Sequence, residues 1–297
     1  MKKVGKDSFV FDYSRRNAPC CHAKSGEVIH VEVGNRFSNI RELEKALRQK
    51  KRSPLFGVTG PLHIFDATPG KTLRVEILRL RLTSQKGYSV LLPGRGCFGD
   101  EIRENYIQSV RIGEKEIRFS KSISFPLAPM VGRIGVAPRR GSLPSHLPGP
   151  HGGNLDCKEI QAGATVYLPV FVDGGLLALG DIHAAMGDGE CGLSGVETEG
   201  EVKIRCSVVD RPVIKEPWVV AKEKATALAS ALTVEKAAKK ALSYLRDMLQ
   251  SKLGLSSHEA IMLMSASANV GICQMVNPLV TAKVSIPTSV LKIESLE

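Results

Sequence analysis

Two glycine-rich segments, residues 149–156 and 180–190, concentrate seven side chains that suit catalysis or metal binding in a short stretch of the chain. The candidate groups are His151, Asn154, Asp156, Asp181, His183, Asp188 and Glu190. Glycine lets the backbone turn sharply and approach a ligand closely, while carboxylates and imidazoles act as metal ligands and general bases. Asp-Gly turns with a capping histidine are the alternative interpretation. The density of titratable groups favours a hydrolytic or metal site.

The spacing in the second segment predicts a shared face. Residues 165–179 form an apolar run typical of a strand, and Asp181 and His183 follow it two positions apart. If the strand continues, both side chains point to the same face of the sheet. Such a pair can bind a metal, or the aspartate can fix the tautomer of the histidine. Asp188 and Glu190 repeat the same spacing one loop later.

These sequence motifs resemble those of the acetamidase/formamidase family of amide hydrolases. The resemblance is carried by residues 148–156 and 180–190, and by Gly195, Val196 and Glu197. Weaker matches at residues 59–61, 67–70 and 274–278 extend it over nearly the whole chain. The resemblance implies hydrolysis of a small linear amide to a carboxylate and ammonia. It also implies a homodimer or a larger homo-oligomer.

An amidase of this kind is expected to be assisted by a divalent metal, zinc or calcium, which polarises the carbonyl and lowers the pKa of a bound water. We predict that His151, Asp156 and His183 converge as metal ligands. Two further roles are predicted, with Asp181 orienting His183 and Asn154 or loop N–H groups stabilising the tetrahedral oxyanion. Either Asp188 or Glu190 is predicted to be the general base.

Four positions depart from the family pattern and support an alternative hypothesis. The family has Asp at the position of Asn35 and Glu near the position of Phe65. It has Gln at the position of Met186, and a Gly-Asp segment where this chain has Ala268 and Asn269. Each change removes a hydrogen-bonding or anionic group. The alternative is therefore a catalytically drifted paralogue that binds a small molecule or a partner, or an amidase for a different amide.

Composition indicates a compact globular protein with reduced thiols. The chain has 297 residues, 43% of them hydrophobic, and seven cysteines without a Cys-x-x-Cys pair. We expect a cytoplasmic protein, since no apolar run approaches the length of a membrane span. Although the net charge is +11, aromatic residues make up only 5%, and the basic run at residues 48–52 reads as a solvated helix face. We predict no nucleic-acid or membrane partner. Seven Asn and six Gln are few, which points toward a thermophilic source.

The predicted fold class is α+β, mostly β, in three parts. Residues 1–140 read as a β-rich, sandwich-like domain with one helix at residues 41–51. Residues 141–218 form a central β region that carries the site motifs. Residues 219–297 contain a helix that begins after Thr233 and ends near Gly254, and a second helix that opens with the capping-box residues Ser256 and Glu259.

Overall fold

The structure, a computed structural model, describes residues 1–34, 45, 57–210, 214–292 and 296. Apart from Lys45, the predicted helix at residues 41–51 lies outside the described residues, as does the departure at Asn35.

Most of the described chain is strand. The strands are β1 Lys2–Val4, β2 Phe9–Val10, β3 Asp12–Ser14, β4 Cys21–Ala23, β5 Val28–Val33, β6 Val58–Ile64, β7 Thr72–Leu82, β8 Lys86–Leu91, β9 Tyr106–Ile112, β10 Glu116–Arg118, β11 Ser124–Pro126, β12 Met130–Gly135, β13 Ser142–Pro144, β14 Gly152–Asn154, β15 Thr165–Pro169, β16 Leu177–His183, β17 Glu197–Thr198, β18 Gly200–Val209, β19 Trp218–Ala221, β20 Lys224–Ala231, β21 Asn269–Gln274 and β22 Val280–Pro287. Two helices follow β20, α1 Val234–Leu253 and α2 Ser257–Ser267.

The strands form two large sheets. The first has nine strands in the order β1-β5-β18-β7-β15-β19-β20-β22-β21. The second has eleven, with the path β11-β10-β9-β8-β17-β16-β12-β14 and with β6 pairing β16, β2 and β4. Its strand β16 pairs antiparallel with β12, β17 and β6, so the strand that carries Asp181 and His183 is held on both sides.

The main apolar core is formed by residues from both sheets. Alternating β-branched and leucine residues of β5, β7 and β18 are buried in the same cluster as residues of β6, β12 and β16. In β5, for example, Ile29, Val31 and Val33 are buried while the residues between them are half-exposed. This alternation is what a strand with one face on a core requires. The two sheets therefore pack as a sandwich, as the sequence predicts for the β-rich part.

The C-terminal helices cover the second half of the nine-stranded sheet. Ala241, Leu245 and Leu249 of α1 are buried in one cluster with residues of β19, β20 and β22. Thr233 caps the start of α1, and Gly254 ends it with φ of 69°. Ser256 and Glu259 form the capping box that opens α2. These helices, and the mostly-β α+β class, confirm the sequence prediction.

The three predicted parts share the sheets. Strands from residues 1–140 pair with strands from residues 141–218 in both sheets, for example β7 with β18 and β12 with β16. The boundaries at residues 140 and 218 stay a prediction. Among the described residues, no helix combines the length and apolarity needed to span a membrane.

Candidate active site

Strand β12 joins the two motif segments. It pairs antiparallel with β14 on one side and with β16 on the other. Arg133 in the middle of β12 is the partner of Asn154 in one pairing and of Gly180 in the other. The first glycine-rich segment and the second thus lie on either side of one strand, β12. This is why their polar side chains can converge.

Three of the converging carboxylates have an unusual backbone. The φ angles are 46° at Asp156, 62° at Asp181 and 46° at Glu190. A residue with a Cβ in the left-handed region costs about 1–2 kcal/mol relative to the right-handed conformation. Such residues concentrate at functional sites, where the surrounding structure holds them in place. The strain supports the interpretation of this region as a site.

Two overlapping groups of possible ligand atoms meet at His183. One atom each from Asp156, His183 and Glu190 lies within 4.8 Å of the others, and all three residues are buried. One atom each from Asp181, His183 and Glu197 also meets this distance limit, but of these three only His183 is fully buried. His183 Nε2 lies 3.0 Å from Glu197 Oε1 and 3.8 Å from Asp181 Oδ2. Glu197, rather than the predicted Asp181, is therefore the carboxylate closest to the imidazole.

Several polar atoms here have no hydrogen-bond partner among the described residues. They include both ring nitrogens of His183 and Oδ1 of Asp156, all buried. The approach of Glu197 to Nε2 is close enough for an ion pair but is not aligned as a hydrogen bond. Buried polar atoms in native proteins are almost always paired. Asp156 Oδ1 and His183 Nδ1 are thus available to a ligand, while His183 Nε2 faces Glu197.

Burial and mutual repulsion shift the pKa values of the site carboxyls. Burial, reinforced by the charge of Asp181, raises the pKa of Asp156 to about 7. Burial and then the charge of Asp156 raise the pKa of Glu190 well above its ordinary value. Burial also raises the pKa of Glu197, although His183 opposes the shift. Conversely, burial lowers the pKa of His183, but Glu197, Asp181 and Glu190 outweigh it and raise that pKa.

Arg133 balances part of this negative charge. Its side chain is 7% exposed, and its Nε lies 3.3 Å from Asp181 Oδ2. The same nitrogen donates a 2.7 Å hydrogen bond to Asn154 Oδ1. Asn154, predicted to stabilise an oxyanion, is thus held by its carbonyl oxygen, and its amide NH₂ remains the group for that role.

Gly132 and Gly195 have no side chains, and this leaves room for the polar groups of the site to approach one another. A Cβ at Gly132 would lie 2.6 Å from Asp156 Oδ1 and 2.9 Å from Asp181 Oδ2. A Cβ at Gly195 would lie 2.9 Å from His183 Nδ1, while the Gly195 N–H donates to Glu190 Oε1 at 3.1 Å. No residue with a side chain fits either position without moving the site.

His151, the third predicted metal ligand, lies outside both groups. It is 1% exposed, and its ring packs edge-on against Tyr13 at a centroid distance of 5.1 Å. Burial lowers the pKa of His151 to about 4, with no carboxylate contributing. Both of its ring nitrogens are buried without a hydrogen-bond partner among the described residues, but His151 joins none of the possible ligand groups found there. The structure brings together Asp156, His183 and Glu190 instead.

Asp188, one of the two predicted general bases, is held elsewhere. Its oxygens lie 2.8 Å from Lys158 Nζ and 2.6 Å from Lys283 Nζ. Burial works against ionisation, but the two ammonium groups keep the pKa of Asp188 below its ordinary value. A low pKa in a double ion pair is unsuited to proton transfer near neutral pH. Glu190 is the predicted base that reaches the cluster.

The three described departures from the family pattern are not members of the cluster. Met186 lines a surface cavity of about 400 Å³ with Lys158 and Glu159. Phe65 is 43% exposed and packs against His63. Asn269 is exposed on β21. None of them replaces a side chain of either ligand group.

The structure adds residues to which the sequence prediction gave no role. Glu197 and Asn277 lie within motifs that match the family, but the motifs alone do not show which atoms the side chains contact. Asn277 Nδ2 donates to Asp156 Oδ2 at 3.1 Å. Arg133 was missed altogether. Its signal is a single arginine in the otherwise small and apolar run of residues 130–137.

Sequence comparison finds one protein family. A family model described as the Acetamidase/Formamidase family matches residues 144–293. The formamidase of Methylophilus methylotrophus is 41% identical over 69 residues, which cover 23% of this chain and 17% of that protein. The acetamidase of Mycolicibacterium smegmatis is 36% identical over 63 residues, 21% of this chain and 16% of that protein. The aligned parts are thus a small share of these relatives' length.

Solved structures match over nearly the full length. An acetamidase from Bacillus halodurans has a TM-score of 0.93 and 34% identity, covering 98% of each chain. A predicted acetamidase/formamidase from Thermoanaerobacter tengcongensis has a TM-score of 0.94 and 36% identity, covering 100% of this chain and 98% of that chain.

Proposed function

Because this chain belongs to the acetamidase/formamidase family, we propose that it hydrolyses the C–N bond of a small linear amide, with assistance from a divalent cation held by Asp156, His183 and Glu190. The products are a carboxylate and ammonia. The observation that carries the proposal is the meeting of four carboxyl groups around one buried imidazole, with Arg133 as the nearby fixed cation.

The donor set fits a divalent cation. If all four carboxyl groups are ionised, their charge exceeds that of Arg133 and a protonated His183 together, and uncompensated buried charge is strongly unfavourable. The unpartnered atoms of Asp156 and His183 support the same conclusion. A mixed set of carboxylate oxygens and an imidazole nitrogen favours zinc or a similar transition metal over calcium, which prefers oxygen ligands alone. When bound, such a cation supplies Lewis acidity toward the amide carbonyl.

The remaining side chains have separate tasks. Glu197 Oε1 faces His183 Nε2 and orients the imidazole, as a carboxylate partner of a ligating histidine does. Its side chain is 23% exposed, more than that of Asp181 at 9%, so it is the carboxylate that incoming water and amide reach most easily. We assign to Glu197 the acceptance of a proton from the attacking water and its transfer to the departing nitrogen.

Arg133 and Asn154 organise the opposite side of the site. The Arg133 guanidinium neutralises Asp181, which limits repulsion among the carboxyls. Asn154 keeps its amide NH₂ for a developing oxyanion, because its oxygen is occupied by Arg133. The burial of His183 and Asp156 excludes bulk water from the reacting atoms, and this strengthens each of these interactions.

Metal analysis and an ammonia-release assay test the proposal together. Purified protein is stripped with a chelator and reloaded with zinc, manganese or calcium, and ammonia is measured over a series of short amides. We expect one cation per chain to restore turnover of at least one amide, and His183→Gln to abolish both binding and turnover. His258→Gln, at an exposed position in the first turn of α2, is the control and should match the parent. Full turnover in the stripped protein would refute metal assistance, and absence of turnover with any amide would refute the activity.

A further inference from the structure

The turn that follows β21 is built by one buried glutamine. Gln274 Oε1 accepts hydrogen bonds from the backbone N–H groups of Val276 and Asn277, both at 3.0 Å. Its Nε2 donates to Leu279 O at 2.7 Å and to Thr281 Oγ1 at 2.9 Å. Gln274 is fully buried, and both ends of its amide are used. We call residues 274–279 the Gln274 turn.

The Gln274 turn is attached to the segment that presents Glu190. Gly189 N–H donates to Cys273 O at 3.0 Å, and Met275 N–H donates to Gly189 O at 3.0 Å. This pair of backbone bonds joins the turn to the residue immediately before Glu190. The position of the Glu190 backbone is therefore fixed relative to the turn.

The same turn also reaches the other carboxylate of the ligand group. Asn277 Nδ2 donates to Asp156 Oδ2 at 3.1 Å, while Asp156 Oδ1 has no partner among the described residues. A carboxylate with one oxygen bound and the other free has a defined orientation. The amide NH₂ is required for this contact, because a carbonyl oxygen would repel the carboxylate.

We propose that Asn277 is a positioning residue that fixes the Asp156 carboxylate, and that the Gln274 turn sets the separation between Asp156 and Glu190. This inference rests on the proposed function, since it assigns the turn to the cation that those two carboxylates hold. Asn277 acts through Asp156 and does not touch the reacting atoms. Outer contacts of this kind typically change metal affinity by about tenfold to a hundredfold.

The test compares the metal affinity of matched variants. Asn277→Ala and Asn277→Leu both remove the donor, and Leu keeps the branched shape of the Asn side chain at a larger volume. Asn269→Ala is the control, because Asn269 is an exposed asparagine at the start of β21, the strand that precedes the Gln274 turn. Zinc affinity is measured by competition with a chromophoric chelator, and unfolding of the metal-free proteins is followed by heat. We expect both Asn277 variants to bind zinc about tenfold to a hundredfold more weakly than the parent, with the control unchanged.

Kinetics separate positioning from a general loss of structure. In the Asn277 variants, saturating zinc should restore much of kcat, whereas a damaged fold would not respond to added metal. If Asn277→Ala unfolds, Asn277→Leu carries the test alone. Zinc binding equal to the parent in a folded Asn277 variant would overturn the inference and leave the proposed function intact. A parent protein that binds no divalent cation would overturn the metal-assisted function, and this inference with it.

Discussion

At the scale of single residues, Gly132 allows Asp156 and Asp181 to approach the same point. We expect Gly132→Ala to reduce amide hydrolysis and metal affinity strongly, because the new methyl would lie 2.6 Å from Asp156 Oδ1. Overpacking of this kind also costs about 1–3 kcal/mol of stability. Gly187→Ala is the matched control, since a Cβ there would meet nothing within 4 Å. Activity assays and chemical unfolding of both variants check the expectation, and equal behaviour would contradict it.

Glu190 shows how one side chain can favour function and oppose stability. Burial and the charge of Asp156 both disfavour its ionised form. We therefore expect Glu190→Gln to stabilise the metal-free protein near neutral pH, because the neutral amide has no ionised form that burial would penalise. Each kcal/mol of added stability raises the melting temperature of a chain of this size by roughly 2–4 °C.

The sign of the Glu190→Gln effect should reverse when metal is present. A neutral amide binds a cation more weakly than a carboxylate, so the loaded parent gains more stability from zinc than the variant does. Melting curves of both proteins with chelator and with zinc provide the measurement. A variant that is less stable than the parent in chelator would show that repulsion among the carboxyls is unimportant.

The sequence identified part of the site because its residue types are unusual. Asp156, His183 and Glu190 lie in glycine-rich motifs, and in the structure these three residues form one group of possible metal ligands. The sequence placed His151 with them because it is near in the chain. In the structure Tyr13, from the other end of the chain, supplies its surroundings. Contacts made by register across sheets are not visible in local spacing.

At the scale of elements, the Gln274 turn should be the least replaceable connection. Gln274→Leu removes the side-chain amide that hydrogen-bonds two backbone N–H groups, one carbonyl and the Thr281 hydroxyl. Each buried unsatisfied group costs about 1–3 kcal/mol, so we expect a loss of at least about 3 kcal/mol in unfolding free energy. Gln250→Leu in α1 serves as the control. Denaturant titration gives both values, and a loss below 1 kcal/mol for Gln274→Leu would argue against the role of the turn.

Helices were easier to predict than sheet pairing for a physical reason. The signals for α1 and α2 are local, namely the caps at Thr233, Gly254 and Ser256. The strand β18, in contrast, pairs with β5 and β7, more than a hundred residues earlier. Alternating apolar residues predict that such strands exist and which face is buried. They do not specify the neighbour, because any strand with a matching apolar face can pair.

At the scale of the whole molecule, the seven cysteines divide by burial into groups that report on different regions. Cys20, Cys97 and Cys191 are exposed, Cys21 is half-buried, and Cys157, Cys206 and Cys273 are buried. Hydrogen bonding to Cys273 and burial raise the pKa of Cys157, and burial raises the pKa of Cys206 to about 12. Since the thiolate is the reactive form, buried thiols of raised pKa react slowly.

We therefore expect an aromatic disulfide reagent near neutral pH to modify Cys20, Cys97 and Cys191 quickly, Cys21 more slowly, and the other three only after unfolding. Cys157 follows Asp156 directly, and Cys273 precedes Gln274, so their protection depends on the closed packing of the site. Cys206 shares the main core cluster with them but lies in β18, where its backbone bonds to Gly26 and Glu27 and not to the Gln274 turn, so it acts as an internal control. In Gln274→Leu, Cys157 and Cys273 should become reactive while Cys206 stays protected, as peptide mapping by mass spectrometry would show. Simultaneous exposure of all three would mean that the molecule opens as one unit, and continued protection of all three would mean that the Gln274 turn does not hold this region closed.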